Sequence, residues 1–306
     1  MNKVIIILGP TGVGKTGASL LLAKALNTEI ISADSMQIYR HMDIGTAKPS
    51  LEERSAVTHH MIDVVEPSET FSTGRFIEQT VPIIEGLHAQ GKTPVVVGGT
   101  GLYIRAMTRG LFSGPAADWV LREELLSAEE EDVGSLYRRL QKLDPEAAGK
   151  VMPSDMRRIV RALEVRLRTE RGISELQRSL TRPLPYTFLC IGLLRERTEL
   201  YRLIEKRVDT MLAAGLVEEV RNVLGLNPGK TALQAIGYKE TALFLQGRIS
   251  LPEAAAAIKK RSRNYAKRQL TWFRQEKGIE WLEVTGLFSP EEVYKPIELF
   301  LNNRLT

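Results

Sequence analysis

The sequence predicts an α/β fold, a parallel sheet wound by helices on both faces, and three observations predict it. Apolar runs at 3–8, 29–33, 61–65, 93–97 and 187–194 are separated by helix-length stretches. A glycine-rich turn, Gly9-Pro10-Thr11-Gly12-Val13-Gly14-Lys15-Thr16, joins the first run to a helix-forming stretch that ends at Leu26. Between Phe112 and Pro185 the strand signal gives way to helical ones. The expectation is a doubly wound core formed by 1–112 and 186–306, with a mostly helical insertion at 113–185.

The elements follow in order. Lys3-Val4-Ile5-Ile6-Ile7-Leu8 is continuously apolar after its first residue, as a strand covered on both faces requires. In the turn after it, Gly9, Gly12 and Gly14 let successive N–H groups face inward around an anion. Lys15 adds a point charge, and the Thr16 hydroxyl is placed to hold a divalent ion. The second strand, Glu29 to Ala33, ends in Asp34-Ser35-Met36-Gln37. The strand at 93–97 runs into Gly98-Gly99-Thr100-Gly101, where most phosphoryl-transfer enzymes with such a loop carry an acidic residue for Mg²⁺. None stands there, so the carboxylate comes from Asp34 and is expected to do something other than hold metal. Helices are expected in the insertion at 118–131, 133–143, 154–169 and 174–180, with breaks at Gly134, Pro145, Pro153 and Gly172. After the last strand they return at 199–214, 217–224, 233–246 and 251–274.

Composition narrows the function. At 306 residues, 43% hydrophobic and 26% charged, the chain can bury a main core and a smaller one. One cysteine, Cys190, excludes a disulfide framework, and four histidines form no cluster at zinc spacing. The apolar amino-terminal run is too short for a signal sequence and no run reaches membrane-spanning length, so a cytoplasmic protein is expected. The net charge of +5 points to a polyanionic partner. Its distribution sharpens that: between Glu253 and Glu276 there is no acidic residue, while Lys259, Lys260, Arg261, Arg263, Lys267, Arg268 and Arg274 alternate with Tyr265, Trp272 and Phe273. Such a helix suits a nucleic-acid backbone with unstacked bases, and a solvated charged helix with Trp272 in the core fits the same stretch.

Seven segments in register, GPTGVGKT (9–16), DSMQIY (34–39), HHMID (59–63), GGTGLY (98–103), RRIVRALEV (157–165), QAIGYKE (234–240) and YAKRQLTWFR (265–274), give the chain its resemblance to the tRNA dimethylallyltransferase (tRNA isopentenyltransferase) family over nearly its whole length. The resemblance implies a P-loop NTPase-like core. It implies transfer of a dimethylallyl group from dimethylallyl diphosphate to N6 of adenosine-37, 3′-adjacent to the anticodon of tRNA, with release of diphosphate. Mg²⁺, a tRNA anticodon stem-loop as partner, no membrane and a monomer of the compact bacterial type come with it. The P-loop then serves alkylation: its donors stabilise charge that grows on a leaving diphosphate. No aspartate-rich DDxxD motif is present, which sets prenyl-chain synthases aside.

By this resemblance Gly9, Pro10, Thr11, Gly12, Val13, Gly14, Lys15 and Thr16 hold the diphosphate, with Thr16 on the metal. Asp34 is the expected general base, because the adenine amine is a poor nucleophile whose proton must be accepted; a helix N-cap or a second sphere for Mg²⁺ is the competing role. Thr100 is expected at the phosphate oxygens, or bonded to its own turn. Arg195 and Arg197 both follow the last strand; the pattern Arg197, Leu200, Tyr201, Ile204 selects Arg197 for the diphosphate over an ordinary surface role. The implied tRNA contacts are Asp34, Ser35, Met36, Gln37, Thr100, Arg122, Arg157, Arg158, Ile159, Val160 and Arg161. They continue with Ala235, Ile236, Gly237, Tyr238, Lys239, Glu240, Lys267, Arg268, Gln269, Leu270, Thr271, Trp272, Phe273 and Arg274. His59, His60 and Asp63 receive no catalytic role. Competing functions are alkylation of free AMP or ATP, a small-molecule kinase, and a non-catalytic RNA-binding protein.

Overall fold

The computed structural model describes residues 2–112 and 114–305. The core begins with β1 (Lys3–Leu8), α1 (Lys15–Ala25), β2 (Ile30–Ala33), α2 (Leu51–Ala56), β3 (His59–His60), α3 (Thr73–Ala89), β4 (Val95–Gly98) and α4 (Gly101–Arg109). The insertion carries α5 (Trp119–Glu131), α6 (Ser135–Leu143), α7 (Pro145–Ala148), α8 (Met156–Thr169) and α9 (Ile173–Leu180). The core resumes with β5 (Thr187–Leu194), α10 (Arg197–Ala213), α11 (Leu216–Gly225), α12 (Lys230–Leu233), α13 (Tyr238–Leu245), α14 (Leu251–Phe273), β6 (Ile279–Glu283) and α15 (Pro290–Leu305). No helix among the described residues is long and apolar enough to cross a membrane.

The six strands form one wholly parallel sheet in the order β3-β2-β4-β1-β5-β6. β1 sits centrally because Val4 to Leu8 are all fully buried. On one face Ile5, Ile7, Val95, Val97, Ile191 and Leu193 pack with Ala18 and Leu22 of α1, Leu200 and Ile204 of α10, and Val293 and Ile297 of α15.

Two compact units divide the chain, Met1–Arg105 with Pro185–Thr306, and Ala106–Leu184. The boundary therefore falls inside α4, seven residues ahead of the expected one, and the expected first residue of the insertion, Ser113, lies outside the described residues. The insertion packs its own core from Leu125, Leu136, Leu140, Ile159 and Leu163.

Three expectations need correction. No strand forms over the expected 61–65: β3 precedes it, and Met61 and Asp63 take left-handed φ angles of 63° and 56° that break the pleat. Val65 survives as a single bridge to Tyr39. The helix expected over 233–246 is interrupted between α12 and α13, where Gly237 adopts φ 99°. The edge strand β6 and the helices α2 and α15 had no counterpart in the sequence reading.

Candidate active site at the carboxyl edge of the sheet

Parallel strands send all their following loops to one edge, and four adjacent strands do so here. Leu8 lies in register with both Gly98 and Gly192, and Ala33 with Gly98. The loops carrying the P-loop, Asp34, Thr100 and Arg195 thus leave side by side.

The P-loop keeps Gly9, Gly12 and Gly14 at φ 148°, 82° and 107°. A Cβ on Gly12 would also meet Ile204 at 2.9 Å, so that position admits no side chain without displacement. Lys15 Nζ donates to the Gly9 and Pro10 carbonyls at 3.0 and 2.9 Å, folded over the loop it serves. Gln269 of α14, itself buried, accepts from Thr11 N–H at 2.8 Å and donates to the Gly99 carbonyl at 2.9 Å, tying the loop to the end of β4.

Arg207, on α10, donates through Nη2 to Thr11 Oγ1 at 2.6 Å. Burial lowers the Lys15 pKa to about 8, with the Asp34 charge opposing the shift and Arg207 adding to it. Arg207 is lowered too, by burial first and against the pull of Asp34. Two cations and one carboxylate therefore share one electrostatic neighbourhood.

Asp34 uses one oxygen on its own turn: Oδ1 accepts from Met36 N–H at 2.8 Å and Gln37 N–H at 3.4 Å. Its Oδ2 has no hydrogen bond among the described residues. Thr100 Oγ1 accepts from Ser35 N–H at 3.0 Å, and Thr100 N–H donates to the Ala33 carbonyl at 3.2 Å, so the ends of β2 and β4 are stitched together. The phenols of Tyr103 and Tyr265 are pushed up by burial first and the Asp34 charge second. A carboxylate with a free oxygen faces lysine, guanidinium and a nest of amides, an arrangement able to take a proton beside a bound anion.

The family described as IPP transferase matches residues 37–276. The chain belongs to the IPP transferase family. It is 54% identical over 98% of its length to the tRNA dimethylallyltransferase of Thermodesulfovibrio yellowstonii, covering 99% of that protein. It is similar to the crystal structure of the full-length tRNA isopentenylpyrophosphate transferase from Bacillus halodurans, with 40% identity, a TM-score of 0.74, and 100% and 97% of the two chains covered. A eukaryotic dimethylallyltransferase, described in crystallographic snapshots as acting on tRNA, superposes with a TM-score of 0.79 at 33% identity, over 93% of this chain and 74% of that one.

Within this IPP transferase fold the expected site residues separate. The P-loop, Asp34 and Thr100 come together. Arg197 makes no hydrogen bond to them among the described residues: it is exposed, 5.2 Å over the Tyr201 ring, and lines with Lys267, Thr271 and Arg274 a cavity of about 330 Å³. Arg195 is a strut, paired with Glu199 and donating to the Leu287 carbonyl at 2.6 Å. Two guanidiniums reach the loop: Arg195, which also donates to the Val13 carbonyl at 3.4 Å, and Arg207, which the sequence reading missed.

The implied tRNA contacts divide by burial. Arg157, Arg158, Lys239, Lys267, Arg268, Thr271 and Arg274 are exposed, while Ile236, Leu270 and Trp272 are partly covered. Ile159, Val160, Ala235, Gly237, Tyr238, Glu240, Gln269 and Phe273 are buried, so at these positions the side chains, which Gly237 lacks, pack within the fold. Arg122 and Arg161 are both committed to the fully buried Glu164. Gln37 is likewise spent inside, accepting from Ser32 Oγ at 3.0 Å and donating to the Thr46 and Ala47 carbonyls at 3.3 and 3.1 Å. Ser35 and Met36, partly covered, flank Asp34.

Among the described residues no group of three His, Cys, Asp or Glu could hold a metal ion. The exposed Thr16 hydroxyl in the first turn of α1 fits Mg²⁺ as a single protein ligand, since Mg²⁺ keeps several waters and needs few protein ligands.

Proposed function

We propose that the protein transfers the dimethylallyl group of dimethylallyl diphosphate to N6 of the adenine 3′-adjacent to the anticodon of tRNA, releasing diphosphate. The observation that carries this reading is Asp34, its Oδ2 free, at the mouth of a cradle whose cations are Lys15 and Arg207. The membership of the chain in the IPP transferase family supports it.

Dimethylallyl diphosphate lays its phosphates against the inward amides of Gly9 to Thr16, with Lys15 exchanging its two loop carbonyls for phosphate oxygens. Thr16 would hold Mg²⁺, which when bound neutralises part of the diphosphate charge. As the bond from the allylic carbon to oxygen breaks, negative charge grows on the leaving diphosphate and is met by Lys15 and Arg207. The adenine amine supplies the electron pair for the new carbon–nitrogen bond, and its proton passes to Asp34 Oδ2. Thr100, whose hydroxyl accepts from Ser35 N–H and donates to Ser35 Oγ at 3.4 Å, turns that proton to a phosphate oxygen when the diphosphate is bound. The target base must leave its stack to reach Asp34. The exposed cations of α8 and α14 supply the salt-dependent hold on the RNA backbone. A monomer working on tRNA in the cytoplasm is the accompanying proposal.

Incubating the protein with dimethylallyl diphosphate, Mg²⁺ and an anticodon stem-loop, then weighing the nucleosides, tests the reading. One dimethylallyl addition on the adenine beside the anticodon is expected. Modification of free AMP with an untouched stem-loop would overturn it.

A further inference from the structure

The chain between Asp34 and α2 is held from outside by one carboxylate. Glu219 on α11 accepts from three consecutive backbone N–H groups: Oε2 from Asp43 at 2.9 Å and Ile44 at 2.7 Å, Oε1 from Gly45 at 2.9 Å. The Tyr238 hydroxyl donates to the same Oε1. Successive amides turned on one point form an anion-binding concavity, and here the protein fills it with its own side chain. Tyr238 is fully buried, its ring lying where a Cβ on Gly45 would stand 2.5 Å away, so the clamp closes on packing as well as on charge.

What is clamped leads to the site. The residues after Gly45 offer the Thr46 and Ala47 carbonyls to the Gln37 amide, and Gln37 N–H belongs to the turn that engages Asp34 Oδ1. His41 and Ala47 stand at φ 63° and 51°, conformations that non-glycine residues keep only where their surroundings impose them. Neither Glu219 nor Tyr238 has a part in the chemistry above.

We propose that Glu219, supported by Tyr238, is a positioning residue for the acceptor half of the site: by pinning the amides of 43–45 it fixes, through Gln37, the turn that presents Asp34 Oδ2 to the adenine amine. The inference rests on the proposed transfer reaction. It predicts an asymmetry, because the diphosphate cradle hangs on β1, α10 and α14 and does not pass through this clamp.

The test is steady-state kinetics of full-length Glu219→Gln and Tyr238→Phe with dimethylallyl diphosphate and an anticodon stem-loop, alongside hydrogen exchange of the amides of 43–45. Glu219→Gln keeps one acceptor oxygen and loses the other. It is expected to lower kcat/KM for the stem-loop by about 10- to 100-fold, to leave KM for dimethylallyl diphosphate unchanged, and to speed exchange at 43–45. Tyr238→Phe retains the ring, moves the same quantities less, and decides alone if the glutamine variant does not fold. Wild-type constants in the folded variants overturn the inference, and so does a KM for dimethylallyl diphosphate raised as far as the loss toward the stem-loop, which marks a merely structural role. A wild-type protein that leaves the stem-loop unmodified overturns the proposed function instead.

Discussion

In the insertion, Arg122 and Arg161 both turn onto Glu164, whose side chain is fully buried; at the carboxyl edge of the core, Lys15 and Arg207 bond only to backbone carbonyls and a threonine hydroxyl. The residue types are alike and their partners are not. A cation matched by a buried carboxylate is spent on holding helices together, since exposing either partner alone is costly. A desolvated cation without an ion pair keeps its charge for a ligand. Asp34 lies within the field of both core cations yet makes no ion pair with either among the described residues, which leaves its Oδ2 open to a ligand.

Four experiments break or sharpen this contrast. The largest effect is expected for Asp34→Asn, a fall in kcat of about 10²- to 10⁴-fold with stem-loop affinity nearly unchanged, read by single-turnover transfer and filter binding. Next is Glu164→Gln, which leaves two guanidiniums facing a neutral group; loss of about 3 kcal/mol of stability in the insertion is expected in denaturant titrations, with diphosphate affinity retained. Arg207→Ala should cut transfer by about 10²- to 10³-fold, while Arg197→Ala should change it little, and the reverse order would restore Arg197 to the diphosphate.

The smallest effects are those of pH, and the two regions should answer at opposite ends. Burial raises the Glu164 carboxyl, but hydrogen bonds from Arg122, the Asp118 amide and Arg161 outweigh it and hold it at about 2. Its folded value lies below the unfolded one, so its stabilisation is complete above the ordinary carboxylate range and is lost as pH falls through about 2. Lys15, lowered to about 8, releases its proton in the folded protein before it does in the unfolded chain. Diphosphate affinity should therefore fall as pH rises through about 8, while the contribution of Lys15 to stability rises up to 10.5, a divergence visible by calorimetric titration and thermal melts on either side of about pH 8.

Much of this arrangement was legible because it is local in the chain. The P-loop, Asp34 and Thr100 each follow directly on an apolar run, and parallel strands deliver such positions to one edge. Arg207 was hidden because its partner, Thr11, is 196 residues away. A trace of it was nonetheless present. Leu200, Ile204, Val208 and Met211 form the buried stripe of α10, and Arg207 follows Ile204 by three residues, on the side where a charge is out of place. β6 was missed because it is a short edge strand whose Glu280 and Glu283 are exposed. Nothing near Glu219 announces a clamp, since its three amide partners lie some 175 residues earlier.

Gln269 belongs to the segment that resemblance assigned to RNA, and it grips the phosphate loop with one end of its amide and the close of β4 with the other. The basic helix is thereby soldered to the cradle by a side chain too short to stretch. Under the proposed function, a tilt of α14 would be passed by Gln269 to the Thr11 amide, which would join arrival of the acceptor to tightness of grip on the donor.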